Sequence, residues 1–287
     1  MKFEKFPKYI EIQTCSFCNG QCIICPHRTV SKKLPKGIMN NKLFEKILDY
    51  VGDKKIRVIP YLNNEPFLDP KFIERLKLIM KKCRNAKIEI STNLSLLSLI
   101  KMKELEKANV KMDDFRCSVF GFTKKTHNIM MPGLDWSIVK TNLNNLVKNK
   151  GFRKNIKEIK LVMINFQEVT KEDIKLAKDY CKQNKLTFCL WGFMDRCSNV
   201  HNYSNNIYHQ NASGCEQKRS LERMHITFDG KVILCCNDWG RQYIIGDITK
   251  ESLGSIWISP KYIELRERIN NPQLEAPKIC KRCVLAK

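Results

Sequence analysis

Cys18, Cys22 and Cys25 lie in the run CNGQCIICP with the spacing C-x3-C-x2-C, and Cys15 precedes them by three residues. Thiolates this close together can grip one inorganic cluster, and three ligands on a four-iron cubane leave one iron without a protein partner. Such an iron is a place for chemistry. On residue types alone, a structural zinc knot, or a closed ferredoxin-type cluster with Cys15 as fourth ligand, uses the same cysteines. A second set stands near the other end of the chain: Cys215, Cys235 and the pair Cys280-x2-Cys283. These can share one metal centre if the segments that carry them fold together, and four sulfurs suit zinc as well as an iron–sulfur cluster.

The elements that must position these residues show as periodic patterns. YIEI, from Tyr9, alternates like a strand and delivers the chain into the cysteine loop. GIMNNKLFEKILDYVG predicts a helix that stops at Gly52, IRVIPYL a buried strand, Lys71 to Cys83 a helix and KIEI a third strand. A helix over Leu94 to Ala108, the strand DDFRCSVF, the helix DWSIVKTNLNNLVKN, the strand KEIKLVMI, a helix from Lys171 to Gln183 and the strand LTFCLW follow. Six strand-then-helix units in succession imply a parallel sheet, because each return requires a crossover. The class is α/β, as a barrel or an open sheet, and apolar runs such as KLVMI predict strands buried on both faces.

Polar residues collect at or just beyond the carboxyl ends of these strands. They are the cysteines, Asn64 with Glu65, Ser91 to Asn93, Ser118, Asn165, and Asp195 with Arg196. In β/α barrels that end is the catalytic face. From about Asp195 the rhythm stops, and MHITFDGKVILCC reads as a hairpin turning at Asp229-Gly230. Two domains are expected, 1–194 and 195–287.

With 287 residues, 43% of them hydrophobic, the chain can bury a large core. Fourteen cysteines would suggest disulfides in a small secreted protein. However, MKFEKFPKYI lacks the apolar core of a signal peptide, and the longest apolar stretch, near Leu94 to Ile100, is too short and serine-broken to cross a bilayer. The expectation is a cytoplasmic protein with no membrane span, its cysteines held for metal. A formal charge of +23 raises nucleic acid as a partner. Yet the lysines are dispersed through helical segments such as KMKELEKANVK, with no arginine-rich arm or aromatic platform, and read as solvated faces. A basic iron–sulfur or zinc protein that binds RNA is the non-enzymatic alternative.

Following a strand, CNGQCIICP resembles the motif of the radical S-adenosylmethionine (SAM) superfamily. The resemblance implies a partial (β/α)6 TIM-like barrel and a [4Fe-4S] cluster on Cys18, Cys22 and Cys25. SAM would chelate the open iron, and an electron supplied by a donor such as flavodoxin or ferredoxin would cleave it to a 5'-deoxyadenosyl radical that takes a hydrogen atom from substrate. NNEP at 63–66 resembles the family's GGEP segment and implies that Glu65, with Asn64, meets the SAM amino group. Asn63 and Asn64 replace two glycines there, and asparagine tolerates a left-handed backbone better than most residues. STN at 91–93 resembles the third-strand segment that lines the SAM pocket, which assigns Thr92 and Asn93 to it. Ser118 stands where the family contacts ribose or carboxylate.

Toward the C-terminus, the G-x4-C element Gly230 to Cys235 and the segment WISPKYIELR resemble the SPASM/twitch extension, a small α+β iron–sulfur module. This implies one auxiliary [4Fe-4S] cluster on Cys215, Cys235, Cys280 and Cys283, in the one-cluster, twitch-like form. A closed cluster moves single electrons, which suits oxidation of an alcohol to a ketone. Epimerisation needs a thiol hydrogen donor instead, for which Cys197 and Cys236 are candidates. Arg196 resembles the arginine of an NRAG-like segment and can hold a substrate hydroxyl or phosphate. The implied substrates are sugars or aminocyclitols, and otherwise a ribosomally made peptide.

Overall fold

Alternation within the strand segments divides apolar from charged side chains, and the sheet is built on that division. The computed structural model describes residues 3–200 and 202–287. Its strands are β1 (Tyr9–Ile12), β2 (Arg57–Ile59), β3 (Lys87–Thr92), β4 (Met112–Ser118), β5 (Ile156–Asn165), β6 (Thr187–Gly192), β7 (Arg223–Ile226), β8 (Lys231–Ile233) and β9 (Ile244–Asp247). They form one sheet in the order β6-β5-β4-β3-β2-β1-β7-β8-β9. β1 to β6 are parallel neighbours in chain order, the wall of a partial β/α barrel. The hairpin β7–β8 turns at Gly230, whose φ is +85°. It does not stand apart from the barrel. β7 lies parallel to β1, Tyr9 opposite Arg223 and Ile12 opposite Ile226, so the C-terminal segment adds a seventh parallel strand.

On the outer face, Ile10, Ile12, Val58, Ile90, Phe115 and Leu161 pack with Phe44, Leu48, Leu76, Ile79 and Leu143 of the surrounding helices in one buried core. Each such side chain stabilises the fold by roughly 1.5–3 kcal/mol relative to exposure. The inner face departs from the expectation of strands buried in apolar surroundings on both sides. Arg57 Nη1 lies 3.0 Å from Glu89 Oε2, and Arg116 Nη1 lies 2.7 Å from Glu89 Oε1. Asp114 Oδ2 takes Arg116 Nη2 and Lys160 Nζ at 2.9 Å each, and Tyr61 donates to Glu89 at 2.8 Å. Charges that face each other across β2, β3, β4 and β5 satisfy one another and leave a polar inner wall.

Helix ends follow local chemistry. The helix Asn41–Val51 is capped by Asn40, whose side chain accepts from Lys42 N, and it closes on Gly52 at φ +51°. The helix expected from Leu94 begins only at Leu99, capped by Ser98. Leu94 itself is left-handed at φ +67°. The reason is that Thr92 Oγ1 accepts from Leu94 N and Asn93 Oδ1 from Ser95 N, bonds that compete with a helical turn. A helix absent from the sequence expectation, Lys124–Met130, is capped by Thr123 and tied down by Thr126 donating to Asp173 at 2.7 Å.

Candidate active site

β1 delivers the chain into the loop that carries Cys18, Cys22 and Cys25. The loop is pinned by Gln21 N donating to Pro132 O at 2.7 Å, Ile23 N to Met130 O at 3.1 Å and Cys25 N to Cys22 O at 3.1 Å. Burial pushes the Cys18 thiol up to about 12 and the Cys22 thiol well above its ordinary value. For Cys22 the neighbouring Cys25 and Cys18 add to the effect, so the three sulfurs stand within electrostatic reach of one another. Bound iron relieves that strain, because a cation favours the thiolate. Cys15 also acts on the Cys18 thiol, but its own contacts are with another loop. Its buried thiol lies 3.7 Å from the Glu65 carbonyl and accepts from Asn64 Nδ2 at 3.4 Å. A cluster on this loop therefore finds three thiols, with Cys15 engaged by the neighbouring loop.

The loop after β2 meets the end of β3 beside those cysteines. Asn63 takes the left-handed conformation, φ +57°, that a glycine would otherwise supply. Glu65 is buried, and its carboxylate accepts from Thr92 Oγ1 at 2.8 Å, Asn93 N at 2.8 Å and Phe67 N at 3.2 Å. Burial outweighs these bonds and raises its pKa to about 7. Asn93 Nδ2 reaches Asn19 Oδ1 at 3.0 Å, so it ties the cysteine loop to the end of β3. Asn64 Oδ1 accepts from Leu62 N, and Ser118 Oγ lies 3.3 Å from Ser91 Oγ. Asn165 ends β5 exposed.

At the far side of β1, a cavity is lined by Cys215, Cys235, Cys280 and Cys283, and also by Cys197. Arg219 Nη1 lies 3.7 Å from Cys235 Sγ, and Asn237 N lies 3.4 Å from it. Cys235 is lowered by a hydrogen bond from Cys236 and, against burial, by Arg219. The motif WISPKYIELR has a structural part: buried Arg266 lies over Tyr262 and Trp257 and donates to Ser220 O and Trp257 O at 2.9 and 2.7 Å. Arg196 bridges the two thiol sites. Its Nη1 donates to Asn237 Oδ1 at 3.2 Å, and its charge acts on Cys25.

Between them lies a group that the cysteine spacing did not reveal. Glu11, His225 and Cys236 bring one ligand atom each within 4.8 Å of the others. Burial opposes the charge on both Glu11 and His225, but their mutual attraction prevails, holding Glu11 down to about 2 and His225 up to about 9. The only sequence signal was a charged residue inside the apolar strands YIEI and RMHI. Cys236 O accepts from Asn63 Nδ2 at 3.3 Å, which joins this group to the loop after β2. Cys83, Cys117 and Cys181 are buried in the core, whereas Cys189 is half-buried beside Lys160 and Arg116.

A partial β/α barrel with one thiol loop at the carboxyl ends of its strands, and a second thiol-lined cavity beside β1, is the architecture of an iron–sulfur enzyme. Residues 12–181, more than half of the chain, match the radical SAM superfamily, and residues 215–284 match the iron–sulfur cluster-binding SPASM domain. The chain belongs to the radical SAM superfamily. Its cofactors are SAM, a SAM-binding [4Fe-4S] cluster and an auxiliary iron–sulfur cluster.

No curated protein sequence matches the chain. Among solved structures it is similar in fold to BtrN in complex with AdoMet and 2-DOIA, at 16% identity and TM-score 0.64, over 98% of this chain and 94% of that one. It is also similar to Streptococcus suis SuiB bound to precursor peptide SuiA, at 18% identity and TM-score 0.73, over 99% and 71% of the two chains. A third, anSMEcpe with bound AdoMet, has 16% identity and TM-score 0.65 over 96% and 86%. Among the described residues no helix is long and apolar enough to cross a membrane.

Proposed function

We propose that this enzyme oxidises or epimerises one carbon of a small polyhydroxylated substrate of the sugar or aminocyclitol class. The observation that carries this reading is the polar inner wall. Arg57, Glu89, Arg116, Asp114, Lys160 and Tyr61 line it with charged and hydroxyl groups, and Asp114 Oδ1 has no partner among the described residues, so the wall suits a substrate rich in hydroxyl and amino groups better than an apolar one. Trp191, 43% exposed with the Arg116 guanidinium 5.5 Å from its ring, adds a flat apolar face at the open edge. The BtrN complex with 2-DOIA supports the same class, by fold alone.

In this reading Cys18, Cys22 and Cys25 hold the SAM-binding cluster, and Cys215, Cys235, Cys280 and Cys283 line the auxiliary site. The bound cofactor supplies a 5'-deoxyadenosyl radical that abstracts hydrogen. Glu65 has three protein donors already, so it acts on the SAM ammonium through its charge and through the loop it orders. Thr92, Asn93, Asn64 and Ser118 shape the rest of that pocket. Arg196 orients a substrate oxygen between the two thiol sites, and Cys197 and Cys236 are the candidate thiol hydrogen donors for epimerisation. Residues 1–194 form the core domain and 195–287 the auxiliary one. An acidic one-electron carrier of flavodoxin or ferredoxin type is drawn to the +23 field.

Anaerobically reconstituted enzyme, given SAM, dithionite and a panel of sugars and aminocyclitols in heavy water, tests this. A stimulated yield of 5'-deoxyadenosine with a carbonyl product indicates oxidation, and deuterium on the product carbon indicates epimerisation. Stimulation only by peptides would overturn the substrate class. That second reading is favoured by one observation: among the described residues β6 pairs on one side only and exposes Leu190 and Trp191, an edge on which an extended peptide can lie.

A further inference from the structure

A cubane has four corners, and five thiols line the auxiliary cavity. Cys215, Cys235, Cys280 and Cys283 come from the C-terminal module, but Cys197 enters from the turn that follows β6. That turn is unusual in its backbone. Arg196, Cys197 and Ser198 take φ of +54°, +59° and +62° in succession, a left-handed turn closed by Val200 N donating to Asp195 O at 3.1 Å. Its effect is to turn the Cys197 side chain into the cavity.

The five thiols are not equivalent. Cys235 Sγ is held by Arg219 Nη1 at 3.7 Å and Asn237 N at 3.4 Å, and Cys280 and Cys283 share one turn closed by Cys283 N donating to Cys280 O at 3.1 Å. Those three are fixed by their own surroundings. Cys215, in an isolated bridge to Ala286, and Cys197, in the left-handed turn, reach the same cavity from two separate segments. Each of the two can complete the set.

Resting on the auxiliary-site reading above, we propose that Cys197 is a fifth, exchangeable ligand of the auxiliary cluster, able to take the corner otherwise held by Cys215. The exchange is a ligand substitution with no change of oxidation state: one iron–thiolate bond forms, the other breaks, and the departing thiolate takes up the proton that the entering thiol releases. It has a structural consequence. Cys197 adjoins Arg196, so ligation through Cys197 anchors the turn that holds Arg196 between the two thiol sites.

The test uses full-length protein in which Cys18→Ala, Cys22→Ala and Cys25→Ala remove the SAM-binding site, reconstituted anaerobically with iron and sulfide. Iron, sulfide and the electron paramagnetic resonance of the reduced protein are read. This background should bind about four irons. Adding Cys197→Ala or Cys215→Ala singly should leave about four irons that survive mild oxidation, because the remaining thiol fills the fourth corner, while adding both leaves three thiols and an open iron that the same oxidation should release, about three remaining. Loss of an iron on oxidation in either single variant, or its retention in the double one, overturns the exchange. Zinc without iron in the background overturns the auxiliary iron–sulfur reading itself, and the exchange with it. A measurement on the unsubstituted, loaded enzyme guards against misfolded variants. Iodoacetamide followed by mass spectrometry should find Cys215 partly labelled, and complete protection of Cys215 overturns the proposal.

Discussion

Thr92 Oγ1, at the end of β3, donates a 2.8 Å hydrogen bond to Glu65 Oε1 on the loop after β2, and both groups are buried. That bond joins two strand ends at the rim proposed above to hold SAM. Thr92→Val keeps the shape and removes the donor, which leaves a buried carboxylate short of one partner. Stability should fall by roughly 1.5–3 kcal/mol in urea unfolding, with SAM affinity weakened about tenfold by equilibrium dialysis of the reconstituted enzyme. Unchanged values for both would show that the bond positions nothing.

Cys15 is set apart from the other loop cysteines by its contacts with the Glu65 carbonyl and Asn64. Cys15→Ala should keep the full iron content of the SAM-binding site and 5'-deoxyadenosine release, at a stability cost of about 1 kcal/mol. If iron drops by one cluster, Cys15 is a ligand and the open-iron reading fails.

The buried pair Glu11–His225, 3.5 Å apart, makes stability depend on pH. His225 is raised from 6.5 to about 9, so its contribution is whole below pH 6.5 and is lost as pH rises through about 9. Glu11 is lowered from 4.5 to about 2, so its contribution is whole above pH 4.5 and is lost as pH falls through about 2. The pair is intact between pH 4.5 and 6.5. Urea unfolding of the metal-free protein should lose on the order of 3 kcal/mol from pH 6.5 to 9 through this group, and His225→Gln should flatten that slope. Parallel curves for the two proteins would refute the linkage.

Arg219 is buried with its guanidinium against Cys235 Sγ. A cation and N–H donors at a cluster thiolate stabilise the reduced, more negative state. Arg219→Met should lower the reduction potential of the auxiliary centre by on the order of 60 mV, one tenfold change in a one-electron equilibrium. A potentiometric titration followed by electron paramagnetic resonance reads it, and an unmoved potential would place Arg219 in folding alone.

Trp191 is exposed, and its removal should change stability by less than about 0.5 kcal/mol. If it is the flat wall of the substrate site, Trp191→Ala should raise KM about tenfold, with the 5'-deoxyadenosine formed without substrate unchanged. Equal KM values would move the substrate away from β6.

Spacing along the chain determined the three-cysteine loop, the order of six strands and their crossovers, the hairpin at Gly230 and the pair at Cys280 and Cys283. These depend on neighbours a few residues apart, where chain geometry leaves little choice. Only the tertiary structure decided that Cys15 turns toward Glu65, that β7 docks against β1, and that Cys197 enters the auxiliary cavity. It also decided the ladder of Arg57, Glu89, Asp114, Arg116 and Lys160, and the meeting of Glu11 with His225 across 214 positions of sequence. Such contacts follow from the register between strands, which the packing of the whole sheet against its helices sets and no local pattern encodes.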